Sequence, residues 1–296
     1  EDAKEQRIDL AQVHVVLQVR SHRGSDKMSA APDRQAIVSY LTEVLKSCNG
    51  TALLGMQWTH VLRKSDGKPV DHFGYLDGDG VSSQPAYEEG NTRKFYPNLV
   101  HAGEVLRGYA NAADKAPGDD AHEMVKLQRN GSFLVVRKLR QHVDRLESAI
   151  VAAMAQNGVA ENQKVETRLL MLGKMMGRWH GDDSSKAGEA LAKGPVSIDP
   201  NDFSYRSDAD GEKCPFHAHI RLANPRVDPL LHGQPEGARP PRIVRRSMSY
   251  GSAVTDKASM AEPRGMLFMA YNASIGEQYE VIQRWLTGGN SSGGYS

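Results

Sequence analysis

The sequence predicts an α+β fold in which sheets are covered by helices on one side. Two observations carry this. Apolar runs of strand length recur at Val13 to Val19, Phe133 to Val136 and Met266 to Tyr271. After each comes a segment whose apolar residues recur three or four apart, which lines them along one face of a helix. Strand followed by helix, three times without sequence identity between the units, buries both apolar faces when helix lies on sheet.

In chain order, residues 13–19 alternate, with Val13, Val15, Leu17 and Val19 on one side and His14, Val16 and Gln18 on the other. That pattern predicts a half-buried strand. After a loop holding Gly24, Ser25 and Pro32, Asp33 can cap a helix that carries Ile37, Tyr40, Leu41, Val44 and Leu45 on one face and stops near Gly50. Residues 51–74 read as strands around a turn from Lys64 to Gly67. Gly, Ser, Pro, Asp and Glu crowd residues 77–120, which suits a long, partly irregular connection. Ser132 to Arg137 is a strand, and Val143, Leu146, Ile150 and Met154 then share a helix face. A polar hinge at Gln156 to Gln163 precedes a helix over Leu169 to Trp179, and residues 181–213 are polar and loop-like. Met266 to Tyr271 is a strand that runs into Ser274-Ile-Gly-Glu277, a capping box, with Ile275, Tyr279, Ile282 and Leu286 on the face of the following helix.

At 296 residues the chain has room for one large domain or two ordinary ones. A formal net charge of +1 supplies no global field for nucleic acid or a membrane surface, and no run approaches the apolar length of a membrane span. Two cysteines, Cys48 and Cys214, make neither a disulfide framework nor a zinc site. Those unpaired cysteines, and a charged opening without an apolar leader, give a cytoplasmic expectation over a secreted one.

Three short stretches carry residues suited to chemistry. Cys214-Pro-Phe-His-Ala-His-Ile-Arg-Leu-Ala-Asn-Pro-Arg226 offers imidazoles and arginines at close spacing, the parts that ligate a metal and hold anions. Taken alone, His217 and His219 without a third ligand are a poor metal signature and read more readily as two satisfied histidines. Gly74-Tyr-Leu-Asp-Gly78 reads first as a turn; Asp77 becomes a proton carrier only in a confined pocket. Arg239, Arg242, Arg245 and Arg246 read first as a solvated basic loop.

Their order changes the weight of these signals. Gly-x-x-Asp-Gly, then Phe-x-Ala-His-Ile-Arg-x-x-Asn-Pro-Arg, then Arg-x-x-x-x-Tyr-Gly and an apolar strand, over residues 73–85, 214–226, 243–251 and 265–293, resembles the dye-decolourising peroxidases. The segments Asn272 to Gln278 and Gly288 to Ser292 are most similar to the larger bacterial and fungal members.

The resemblance implies two ferredoxin-like domains with antiparallel sheets: residues 1–128, incomplete and carrying Asp77, and residues 129–296, holding haem b. It implies one haem per chain and a peroxidase that uses hydrogen peroxide to oxidise dyes, phenolic or other aromatic donors through ferryl intermediates. A haem-handling protein without peroxidase turnover is the alternative. The family's motif positions carry over as His219 for the iron ligand, Asp77 for the distal acid and Arg245 for the distal arginine. They also give Arg226 for a propionate contact, and Met266 and Phe268 for the distal wall. Peroxide and aromatic donors are the implied partners, with no nucleic acid or membrane and room for a homo-oligomer.

The chain departs from the family pattern in places. Asp77-Gly-Asp-Gly-Val-Ser-Ser-Gln-Pro85 is longer by three than the usual run, which makes Asp79 a rival acid. Ser247 and Ser249 stand where the family often has Gly or Asn, and Pro. Members continue beyond the Gly288 segment and begin before Val13, so the resemblance implies further polypeptide at one or both ends. A carboxylate partner for the far nitrogen of the proximal imidazole is not fixed by spacing; Glu277 is a candidate, with helix capping its better role. Trp179, Trp285, Tyr250 and Tyr271 are candidates for electron relay, each read first as ordinary packing.

Overall fold

The computed structural model describes residues 8–20, 34–76, 102–111, 123–183, 185–193, 203, 205, 207–224 and 241–287. It divides into two units, Glu1–Trp58 and Thr59–Ser296.

In the first unit the Asp9 carboxylate accepts the Ala11 amide and starts a 3-10 turn, Leu10–Gln12. The strand expected at 13–19 does not form: Val15 is 81% exposed, and Leu17 and Val19 are exposed beside it. Alternation sets which side chains share a side, but a strand exists only through ladder bonds to another, and no described strand pairs with this run. Helix α1, Arg34–Ser47, forms as expected. Ile37, Leu41 and Leu45 are half-buried on it, while Tyr40 and Val44 are exposed.

The strands expected in 51–74 reduce to single bridges, His60 with Ser249, Arg63 with Pro69 and Val70 with Leu76. Pro69 has no amide hydrogen to extend a ladder. The turn between them stands, with the Gly67 amide bonded to the Lys64 carbonyl at 2.9 Å. Most of the expected irregular connection at 77–120 lies outside the described residues; within it Ala102–Glu104 is a 3-10 turn.

The second unit is built on a four-stranded antiparallel sheet. A short helix α2, Glu123–Gln128, leads into β1, Phe133–Arg140. Helices α3, Val143–Gln156, and α4, Lys164–Met176, follow. Next come α5, His219–Ala223, then β2, Val244–Arg245, β3, Met248–Tyr250, and β4, Gly265–Asn272. A π-helical turn, Ile275–Tyr279, passes directly into α6, Glu280–Thr287. β4 is central, paired along its whole length with β1 on one edge and with β2 and β3 on the other.

The 3.6-residue spacing read from the sequence is what packs α3 on α4: Ile150 and Met154 meet Leu172 and Tyr75 in one buried cluster. A second cluster gathers Phe203, Tyr205, Cys214 and Ala218 beside Ala190 to Ala192, with Trp179 and Ile220 packed against it. That cluster carries α5. The capping box differs in detail from its expectation. Ser274 accepts the Glu277 amide, but the reciprocal bond to the Ser274 amide comes from the Gln278 side chain, because the π-turn brings residue 278 rather than 277 round to it.

Candidate functional site

His219 opens α5, and the residue two further on decides which way it faces. Arg221 is 4% exposed. Its guanidinium donates to Asp208 Oδ2 at 2.9 Å, to the Asp208 carbonyl at 2.8 Å and to the Cys214 carbonyl at 2.6 Å. The rings of Tyr205 and Phe216 lie 4.7 and 4.5 Å from it. Asp208 in turn accepts the Lys213 and Cys214 amides, each at 2.9 Å. Desolvating a cation is costly unless its hydrogens are taken; here carboxylate and carbonyls serve both terminal nitrogens, while the buried Nε has no hydrogen-bond partner among the described residues. Positions 219 and 221 lie about 200° apart around a helix, so anchoring Arg221 inward turns His219 to the opposite side.

On that side lies His219. Its surface is exposed, yet it lies deep enough in the protein that desolvation pushes its pKa down to about 4, with the positive charge of Arg245 adding to the effect. The imidazole is therefore neutral through the working range, with a lone pair available to a metal. His217 lies in the exposed turn before α5.

Arg245 reaches this region from the sheet. It pairs with Ala270 across β2 and β4, so register puts it on the same face as Phe268 and Met266. Both of those side chains are half-buried. The Phe268 ring meets the Tyr279 ring at 6.0 Å, and Arg137, opposite Phe268 on β1, donates to Tyr279 and Gln283. The π-turn and α6 thus lie over this face, and α5 packs on α6. Sequence places His219, Arg245, Met266 and Phe268 in three separate stretches; the fold brings the sheet face carrying three of them to the region of the fourth.

The Tyr-Gly turn that ends β3 is equally constrained. Gly251 has φ +83°, and a Cβ there would stand 2.6 Å from the Pro263 carbonyl. Tyr250 is buried with its hydroxyl bonded to the Leu139 carbonyl, and Trp179 packs into the second cluster under the Lys186 ammonium. Asp77, Asp79, Arg226 and Arg239 lie outside the described residues, as does the Trp285 side chain. The chain leading to Asp77 is described as far as Leu76. Glu277 is exposed and its amide serves the Ser274 cap.

Two structural roles went unassigned in the sequence reading. The Asp208–Arg221 anchor was signalled by an arginine two residues after a candidate ligand, but nothing local marks Asp208 as its partner. His180 carried no signal at all.

Among the described residues, a neutral imidazole, a guanidinium whose charge reaches it, and two half-buried apolar side chains on the guanidinium's sheet face are groups that suit a haem. Residues 110–294 match the family described as Dyp-type peroxidase, C-terminal. A multifunctional dye peroxidase of an Amycolatopsis strain is 30% identical over 235 residues, covering 75% of this chain and 47% of that protein. A dye-decolorizing peroxidase of Auricularia auricula-judae is 30% identical over 245 residues, covering 74% of this chain and 43% of its own. Among solved structures, a dye-decolorizing peroxidase complexed with 2,6-dimethoxyphenol aligns over 89% of this chain and 59% of its own, with TM-score 0.64 and 23% identity. That likeness shows the α+β, ferredoxin-like fold. The chain spans about half the length of the curated relatives it matches.

Proposed function

Because the chain belongs to the Dyp-type peroxidase family, we propose that it is the haem-binding part of a peroxidase that reduces hydrogen peroxide with electrons from phenolic or dye-like donors. The observation that supports this reading is a neutral His219 within the field of Arg245, whose sheet face also carries Met266 and Phe268. The named activities of the relatives, and the phenol bound in one related structure, support the donor class.

In this reading His219 holds the iron, and Arg226 pairs with a haem propionate. Bound haem supplies the metal at which the peroxide O–O bond is broken and the two oxidising equivalents are held. Asp77 would take a proton from hydrogen peroxide and return it to the departing oxygen, so that water leaves. Arg245 is cationic at every working pH and offsets the negative charge that develops on the peroxide oxygens. Met266 and Phe268 would keep bulk water from the peroxide.

Stopped-flow absorbance of the haem-loaded protein mixed with hydrogen peroxide tests the assignment. Asp77→Asn and Arg245→Leu are expected to keep haem and to react more slowly than wild type by about a hundredfold or more. Wild-type rates in both variants contradict the distal assignment. Haem binding with no turnover of 2,6-dimethoxyphenol by the wild-type protein selects haem handling over peroxidase action.

A further inference from the structure

We propose that His180 is a positioning residue for the acid at Asp77, latching the backbone of Phe73 to Leu76 that leads into it. The proposal rests on the assignment of Asp77 given above.

His180 is 2% exposed, and both of its nitrogens are used. The Asp182 amide donates to Nδ1 at 3.1 Å, so Nδ1 carries no proton. Nε2 therefore carries it and donates to the Phe73 carbonyl at 2.7 Å. Burial chiefly, aided by the charges of Arg168 and Lys64, opposes protonation of the ring, while the Asp182 carboxylate, 3.4 Å from Nδ1, favours it. The neutral Nε2–H tautomer is the form that makes both bonds.

The segment on the other side of the bond is shaped to receive this ring. Gly74 has φ +89°, and a Cβ there would lie 2.6 Å from His180 Nε2. Glycine is thus required twice, by its conformation and by the imidazole seated on its backbone. The Gly181 amide donates back to the Gly74 carbonyl at 3.2 Å. The next residue, Tyr75, sets its ring edge-on to His180, with centroids 5.1 Å apart. Its amide donates to Asp71 and its hydroxyl to the Leu172 carbonyl, at 2.9 and 2.7 Å. Leu76 bridges to Val70 and lies under Gly188. Every residue from 73 to 76 is tied to a fixed partner, and Asp77 is the next in the chain. A buried aliphatic side chain would fill the space of His180 as well, but it would leave the Phe73 carbonyl and the Asp182 amide without their bonds.

The discriminating pair is His180→Gln against His180→Asn, in haem-loaded protein with Asp77→Asn alongside. Glutamine places an N–H donor near the position of Nε2 and keeps the bond to Phe73; asparagine is too short to reach it. The second-order rate with hydrogen peroxide is expected to fall about tenfold or more in His180→Asn and to stay within about threefold of wild type in His180→Gln. Soret absorbance reads haem loading in each. Gly74→Ala, which pushes a methyl onto the ring, is expected to follow His180→Asn, so the proposal stays testable if that variant does not fold. Equal rates in the Gln and Asn variants, or a wild-type rate in Gly74→Ala, overturn the latch. If Asp77→Asn reacts at the wild-type rate, the assignment of Asp77 fails instead. A slow Asp77→Asn beside a fast His180→Asn sinks this proposal alone.

Discussion

At the scale of single residues, the direction of His219 depends on a neighbour that never touches a ligand. Arg221 is held by three bonds to Asp208 and Cys214 and stacked between two rings, and the helical turn does the rest. Lysine at 221 keeps the charge but loses the planar fork. Arg221→Lys is therefore expected to destabilise the protein by about 3 kcal/mol or more, since part of a buried ion pair is left unanswered. Denaturant unfolding measures this, and a midpoint equal to wild type contradicts it. His219 could be singled out as the candidate ligand because its motif is contiguous, from Phe216 to Arg226. Its anchor was not, because Asp208 is an ordinary turn residue until a cation is buried against it.

Among elements, β4 shows what periodicity reveals and what it omits. The apolar run Met266 to Tyr271 announced a strand, and β4 is one, with partners on both edges. The run at 13–19 announced a strand as well, and no strand forms there among the described residues. Both runs are apolar and of strand length; pairing is decided by chain that a local window does not contain. Helices α3 and α4 were readable because their bonds are internal and their apolar faces meet each other. Ile150, 2% exposed at that contact, makes the sharpest test: Ile150→Ala is expected to cost about 2–5 kcal/mol by thermal or denaturant unfolding. A loss below about 1 kcal/mol means the α3–α4 contact collapses around the change or is not a tight core.

For the whole molecule, buried histidines set the response to acid. The pKa of His72 is held below its ordinary 6.5, chiefly by burial. Its Nε2 bonds the Tyr250 carbonyl at 2.8 Å, and its buried Nδ1 has no hydrogen-bond partner among the described residues. Above pH 6.5 folded and unfolded chains are both neutral at this site. Below it the unfolded chain takes the proton first, so stability falls as pH drops toward the folded value. His180 shifts the same way. The thermal midpoint is expected to fall between about pH 7 and about pH 5, and less steeply in His72→Gln. An unchanged slope in that variant contradicts the assignment of His72 to the acid response.

The same chain-wide view returns to haem. The family match spans residues 110–294, which include His219, Arg245, Met266 and Phe268, the residues proposed above for iron ligand, distal arginine and apolar wall. The most direct measurement is the Soret spectrum on titrating the protein with ferric haem. Wild type and His217→Ala are expected to give the same saturable band, and His219→Ala to lose or greatly weaken it. A full wild-type spectrum in His219→Ala, with the band lost in His217→Ala, would move the iron to the other histidine. No band in the wild-type protein would remove haem from this chain altogether.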